Sequence, residues 1–121
     1  MKILLICLGG SLGALSRYYL AEALNKFTVI NIPIGIFGVN FVGCFILGLL
    51  INYLDPKFEN IYNPLLFVGF LGAFTTFSAF SKETINLLSS GNLLLASTYI
   101  FLTVFSCLAV SYTHLTLPTK A

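Results

Sequence analysis

Charge is what this chain has least of. Lys and Arg number six and Asp and Glu four, together 8% of 121 residues, where soluble domains carry about 25%. With 58% of its residues apolar, the chain cannot clothe itself in a hydrated surface, which excludes a soluble globular domain. The net charge of +2 is too small and too scattered to hold nucleic acid. Its cysteines, Cys7, Cys44 and Cys107, fall in separate apolar runs without metal-ligand spacing, so they read as small buried hydrophobes. Internal repeats and low-complexity tracts are absent, and there is too little polar sequence for a second domain. One all-α integral membrane domain over residues 1–112 is the expectation.

What the chain does have is four apolar runs. Each approaches the ~20 residues a helix needs to cross roughly 30 Å of hydrocarbon. The first, Ile3–Leu24, opens like a secretory signal, with Lys2 and then the small pair Ala14 and Ser16. Its apolar character continues past Arg17, so it is expected to remain as a span. The second, Pro33–Leu54, starts on a proline, whose missing N–H costs least at a first helical position, and ends at Asp55-Pro56-Lys57. The third starts near Pro64 and stays apolar to Ser81, with a more polar last part to Leu88; the fourth, Leu93–Tyr112, follows a Ser89-Ser90-Gly91-Asn92 turn. Short connections make neighbouring spans antiparallel.

The few charges bear on orientation. Cytoplasmic loops normally carry the excess of Lys and Arg. Here one side has Lys2, Lys57 and Lys120, and the other Lys26 and Lys82. A chain with so little bias can insert both ways, and two opposite copies could pair as an antiparallel dimer.

The third run concentrates features that rarely share a membrane helix. Gly69 and Gly72, the hydroxyls of Thr75, Thr76, Ser78 and Ser81, and Phe70, Phe74, Phe77 and Phe80 fall within thirteen positions, residues 69–81. Hydrocarbon tolerates irregular backbone only where protein or a water-filled cavity covers it, so a break near Gly72–Thr75 points to an ion or substrate path. Its first half would end in free carbonyls, suited to a cation, and its second begin in free N–H groups, suited to an anion. Phe77 and Phe80, three apart, share a face. Their positive ring edges could replace part of an anion's hydration, although plain packing is the commoner use of phenylalanine.

Polar groups on the other runs converge on the same idea. Arg17 lies four residues beyond Gly13, itself four beyond Gly9. It reads either as an arginine snorkelling to headgroups or as a fixed charge at the mouth of an anion path or a brace for the dimer. Asn40, at the middle of the second run, reads as interhelical glue or as an N–H donor to a passing anion. Tyr99, Thr103, Ser106 and Cys107 form one polar stripe on the fourth.

These residues carry a family resemblance. Gly69-Phe-Leu-Gly-Ala-Phe-Thr-Thr-Phe-Ser-Ala-Phe-Ser-x-Glu83 strongly resembles the signature of the Fluc/CrcB family of fluoride-exporting channels. Gly9-Gly-x-x-Gly-Ala-x-x-Arg-Tyr18 and Pro33-x-Gly-x-x-x-Val-Asn-x-x-Gly43 resemble it too, and the likeness covers about residues 3–110. It implies four transmembrane helices with the third broken, a dual-topology homodimer in the inner (plasma) membrane, two fluoride pores and a structural sodium ion at the dimer centre. By the resemblance, Gly72 and Thr75 would bind sodium through backbone carbonyls from both copies. Asn40, Phe77, Phe80, Ser78, Tyr99, Thr103 and Arg17 would belong to the fluoride pore. The chain departs from the family at Ile36, where many members have threonine. It departs again in Ser111-Tyr-Thr-His-Leu-Thr-Leu-Pro-Thr-Lys-Ala121, which looks like translated sequencing-adapter sequence. His114 and Lys120 therefore carry no functional weight, and residues 113–121 are set apart as a non-family tail.

The function expected is passive export of fluoride, without catalysis. The alternative is a proton-coupled antiporter of the small multidrug type, since those are also four-span dual-topology dimers. Such a machine needs a carboxylate well inside the bundle, whereas Glu22, Asp55, Glu59 and Glu83 lie near span ends or in loops. A scaffold with no transport role leaves Asn40, the stripe and the Gly/Thr interruption unexplained together.

Overall fold

The computed structural model describes residues 1–27 and 34–112, and no strand occurs among the described residues. α1 spans Lys2–Leu24, α2 Ile34–Tyr53 and, last in the chain, α6 Leu93–Ser111. The third run is a series. A 3₁₀ turn at Pro56–Phe58 leads into α3 at Glu59–Tyr62, a π-helical stretch at Asn63–Leu71 and α4 at Gly72–Phe74. After a two-residue gap comes α5 at Phe77–Ser89. Among the described residues, four segments are long and apolar enough to cross a membrane: Lys2–Leu24, Ile34–Ile51, Pro56–Ser89 and Leu93–Ser111. Pro33, His114 and Lys120 lie outside the described residues.

Two of these boundaries differ from, or add to, the expectation. The third segment starts eight residues before Pro64, because Asp55 caps it: its Oδ1 accepts from the Lys57 N–H at 2.9 Å, and Pro56 fills a position that needs no donor. The turn after α5 is as expected, and its bonding shows why. Gly91 takes the left-handed φ of +85°. That lets its N–H reach the Leu88 carbonyl and the Asn92 N–H reach that of Leu87, both at 3.1 Å, so the last carbonyls of α5 are satisfied.

α1 packs chiefly against the π-helical stretch and α4, while α2 and α5 pack against α6. The first contact is backbone on backbone. A methyl group placed on Gly9 would overlap the Leu65 carbonyl, and one on Gly13 the Phe70 carbonyl. Glycine at both positions is what allows the approach. The N–H of Gly72 reaches back five residues to Phe67, as π geometry requires.

A core forms between α2, α5 and α6 from Ile36, Phe80, Leu87, Ala96 and Tyr99. Ile36, the departure from the family pattern, is buried there. Elsewhere the helices are apolar on their outer faces, where Ile3, Leu94, Phe101 and Phe105 are exposed. This suits helices whose surroundings are lipid or another apolar chain. Cys7 lies on such a face and is exposed, so the expectation of three buried cysteines fails for it. In lipid an apolar thiol has no reason to turn inward.

Candidate functional site: a helix break and the cavity beside it

The third segment opens midway between Pro64 and Leu88. Thr75 has φ −81° and ψ 149°, and Thr76 has φ −148° and ψ 124°, both extended. Sequence explains each side of the break. Thr75 turns its hydroxyl back on the Leu71 carbonyl at 2.8 Å, where its own N–H also donates at 3.0 Å. Thr76 then caps α5: its Oγ1 accepts from the Ala79 N–H at 3.2 Å and lies 3.2 Å from Ser78 Oγ.

Side chains from other helices hold the break open. Asn40 of α2 matches the Thr76 peptide in both directions, with Nδ2 donating to the carbonyl at 3.0 Å and Oδ1 accepting from the N–H at 2.8 Å. Arg17 of α1 donates from Nε to the Ala73 carbonyl at 3.1 Å. Carbonyls ahead of the break are thereby released from the helical ladder, Ala73's to Arg17 and others as follows. The N–H that would close a turn on Gly72 is that of Thr76, which is spent on Asn40. The N–H that would close on Thr75 is that of Ala79, which is spent on the Thr76 hydroxyl.

Beside the break lies a cavity of about 300 Å³, open on one side. Asn40, Thr76, Phe77, Phe80 and Thr103 line it, with Cys44 and Cys107 one helical turn further on. Phe77 and Phe80 have ring centroids 5.4 Å apart. Phe80 is buried at 6% exposure, whereas Phe77 is 75% exposed, so the open side of the cavity is Phe77's. Asn40 is 8% exposed, and only one of its two amide hydrogens is committed to Thr76. Thr103, at 6% exposure, has a buried hydroxyl with no partner among the described residues. Helical threonines usually return that hydroxyl to the preceding turn, as Thr84 and Thr98 do here. Thr103 makes no such bond: the residue borders the cavity, while its hydroxyl is sealed from solvent without a partner among the described residues.

Asn40, Phe77, Phe80 and Thr103, named from the sequence, therefore meet in one place. Tyr99 stands a layer behind: its ring is 5.3 Å from Phe80 and its hydroxyl donates to Glu83 Oε2 at 2.7 Å. Ser78 is exposed and bonded to Thr76, outside the lining. Arg17 is not in the lining either, since it acts on α4 as a brace. Thr75 touches the main cavity, and with Gly72 it lines a second one of about 260 Å³ that also includes Gly43. The span-four stripe divides: Tyr99, Thr103 and Cys107 face inward, while Ser106 borders an outer groove with Leu102 and Phe105.

The bond from Tyr99 to Glu83 was not foreseen. Glu83 is half-buried in the α5–α6 contact, not a free carboxylate at a span end. The cavity position of the two cysteines was also missed, although the signal existed. Cys44 is four residues after Asn40 and Cys107 four after Thr103, so each shares a helical face with a polar site residue.

A membrane bundle with a polar break at mid-span, and polar residues lining a cavity beside it, is built like a multi-pass transport protein. The comparisons give the family. The profile described as "CrcB-like protein, Camphor Resistance (CrcB)" matches residues 4–114, and the chain belongs to that family. It is 40% identical over 117 residues to the "Fluoride-specific ion channel FluC" of Flavobacterium psychrophilum, covering 93% of each chain. It is 40% identical over 114 residues to the protein of that name from Magnetococcus marinus, again covering 93% of each. The protein of that name from Campylobacter jejuni is 40% identical over 111 residues, covering 91% of each.

Proposed function

We infer that this chain is a fluoride-selective channel through which cytoplasmic fluoride leaves the cell passively. The observation that carries this reading is the cavity in which a braced helix break, a half-committed amide, a spare hydroxyl and two phenyl rings meet. Fluoride is small and strongly hydrated, so its path must replace water with donors yet hold the ion weakly enough to let it go. The second Asn40 hydrogen, the Thr103 hydroxyl, the positive end of the α5 dipole and the edges of Phe77 and Phe80 supply such donors without any fixed cation. The names of the relatives support the same ion and give no support to the antiporter. Passive flow fits the physiology of a weak acid: neutral HF enters from acidic surroundings, dissociates inside, and the trapped anion departs down the membrane potential. No covalent step is required, so the chain is read as a channel and not an enzyme.

The working unit we propose is an antiparallel pair of oppositely inserted copies in the inner (plasma) membrane. The near-absence of charge bias supports it, and so does the exposure of Phe77 on the open side of its own cavity. C-terminal reporters active on both faces of the membrane are the expected result, and a single orientation would count against the pair. The sodium ion expected at its centre is compatible with this chain, because the carbonyls of Gly72 and Thr75 are among those released from the ladder at the break. When bound, sodium would tie the two copies together there.

Two substitutions test the pore. Phe80→Ile keeps apolar bulk but removes the ring, and fluoride efflux from liposomes is expected to fall about 100-fold, as a loss of roughly 2.7 kcal/mol in the path implies. Unchanged flux would remove the rings from the mechanism. Thr103→Val removes a buried hydroxyl that has no internal partner, a group whose desolvation costs about 1–3 kcal/mol. Thermal stability is expected to hold or rise while efflux falls about tenfold. A drop in stability with flux unaltered would make Thr103 a packing residue.

A further inference from the structure

Cys44 and Cys107 share a feature that conduction does not use. They come from α2 and α6, the helices that pack against one another, and both line the cavity, one helical turn beyond Asn40 and Thr103. Both side chains border the same cavity at that contact, and both are half-buried and free of disulfide. Val104 and Leu108 are their apolar neighbours in the lining, and the Ser111 hydroxyl, which donates to the Cys107 carbonyl at 2.8 Å, lies beside Cys44. Among the described residues no third His, Cys, Asp or Glu joins them in a group of metal-ligand size.

We propose that this thiol pair is a two-coordinate binding site for one soft d10 metal cation of the mercury(II) class. Sulfur ligands select soft metals, whereas sodium, magnesium and calcium prefer oxygen. Two ligands without a third disfavour zinc, which requires four. Charge decides in favour of a divalent ion that accepts linear coordination. Each thiol releases its proton to water and forms one sulfur–metal bond, so two thiolates neutralise the metal and no electron changes hands. The neutral adduct leaves no net charge within a membrane-spanning bundle, where an unpaired one is costly. Bound there, the metal stands beside Phe77 and Phe80 and narrows the cavity. That last consequence rests on the channel reading; the binding itself does not.

The experiment uses the full chain carrying Cys7→Ser, which removes the exposed thiol outside the cavity. Mercuric ion is titrated and the remaining thiols are counted by alkylation and intact mass, with fluoride efflux measured in parallel. One metal per chain, with both thiols lost together, is expected. Cys44→Ser and Cys107→Ser, each made in this background, are expected to bind at least about tenfold more weakly, and zinc is expected to leave both thiols reactive. The half-blocking concentration for efflux should shift by the same factor in the single-cysteine variants. Two metals per chain at independently titrating thiols would overturn the site, as would single variants as sensitive as the pair. One metal per chain with flux unaffected would uphold the site and overturn its link to the path. If the protein carries no fluoride flux at all, the thiol count still decides the site. Alanine at the same positions serves where a serine variant fails to fold.

Discussion

Asn40→Leu is expected to abolish fluoride efflux and to lower stability at the same time. Asn40 is the partner of both polar groups of the Thr76 peptide, at 3.0 Å and 2.8 Å. Leucine leaves an N–H and a carbonyl unpaired inside the bundle, at roughly 1–3 kcal/mol each, unless the segment closes into regular helix. Either result disables the site: an unpaired peptide destabilises the fold, and a closed helix withdraws the dipoles beside the cavity. Asn40→Asp separates these two effects. A carboxylate can still accept from the Thr76 N–H, so most of the fold is retained, but it puts a negative charge where an anion must pass. Efflux is expected to fall at least about 100-fold, the equivalent of about 2.7 kcal/mol, with monodisperse protein still recovered. Efflux near wild type in both variants would mean that the ion does not pass Asn40.

Gly13→Val is expected to prevent assembly of the bundle. Overpacking side chains costs about 1–3 kcal/mol when neighbours can shift. At Gly13 the obstacle is the Phe70 carbonyl and Cα, main chain held by the π-helical stretch around it, so the cost should reach or exceed about 3 kcal/mol. Size-exclusion chromatography in detergent should show aggregate or no protein. Gly10→Ala is the matched control, because a methyl there meets nothing nearer than the Gly69 carbonyl at 4.0 Å. Gly10→Ala should behave as wild type, and equal damage from both substitutions would contradict the close α1 contact.

Most of the architecture was legible in the sequence because lipid imposes long, apolar, nearly charge-free runs. The four spans and the Gly91 turn follow from that constraint and from glycine's freedom. The location of the break was legible as well, within a residue or two, since glycines and hydroxyls at mid-span have few other uses. What could not be read was which backbone groups the polar side chains would take. Asn40 suited both an ion donor and interhelical glue; the structure commits half its amide to Thr76 and leaves one hydrogen for the cavity. Arg17 turns out to hold Ala73, fifty-six residues away, which no local pattern reveals. The π-helical stretch was equally hidden: it lies main chain to main chain against Gly9 and Gly13, a contact its own run of residues does not announce. The Tyr99–Glu83 bond joins two helices across a turn, and neither residue's spacing announces it.

The central claim is that the cavity beside Thr75–Thr76 passes fluoride down its electrochemical gradient. Purified wild-type protein in liposomes loaded with fluoride, with a potassium ionophore setting the voltage and no pH gradient, tests it most directly. The expected result is rapid, voltage-driven fluoride release with no chloride release under matched conditions. Release that requires a pH gradient, equal release of chloride, or no release would contradict it.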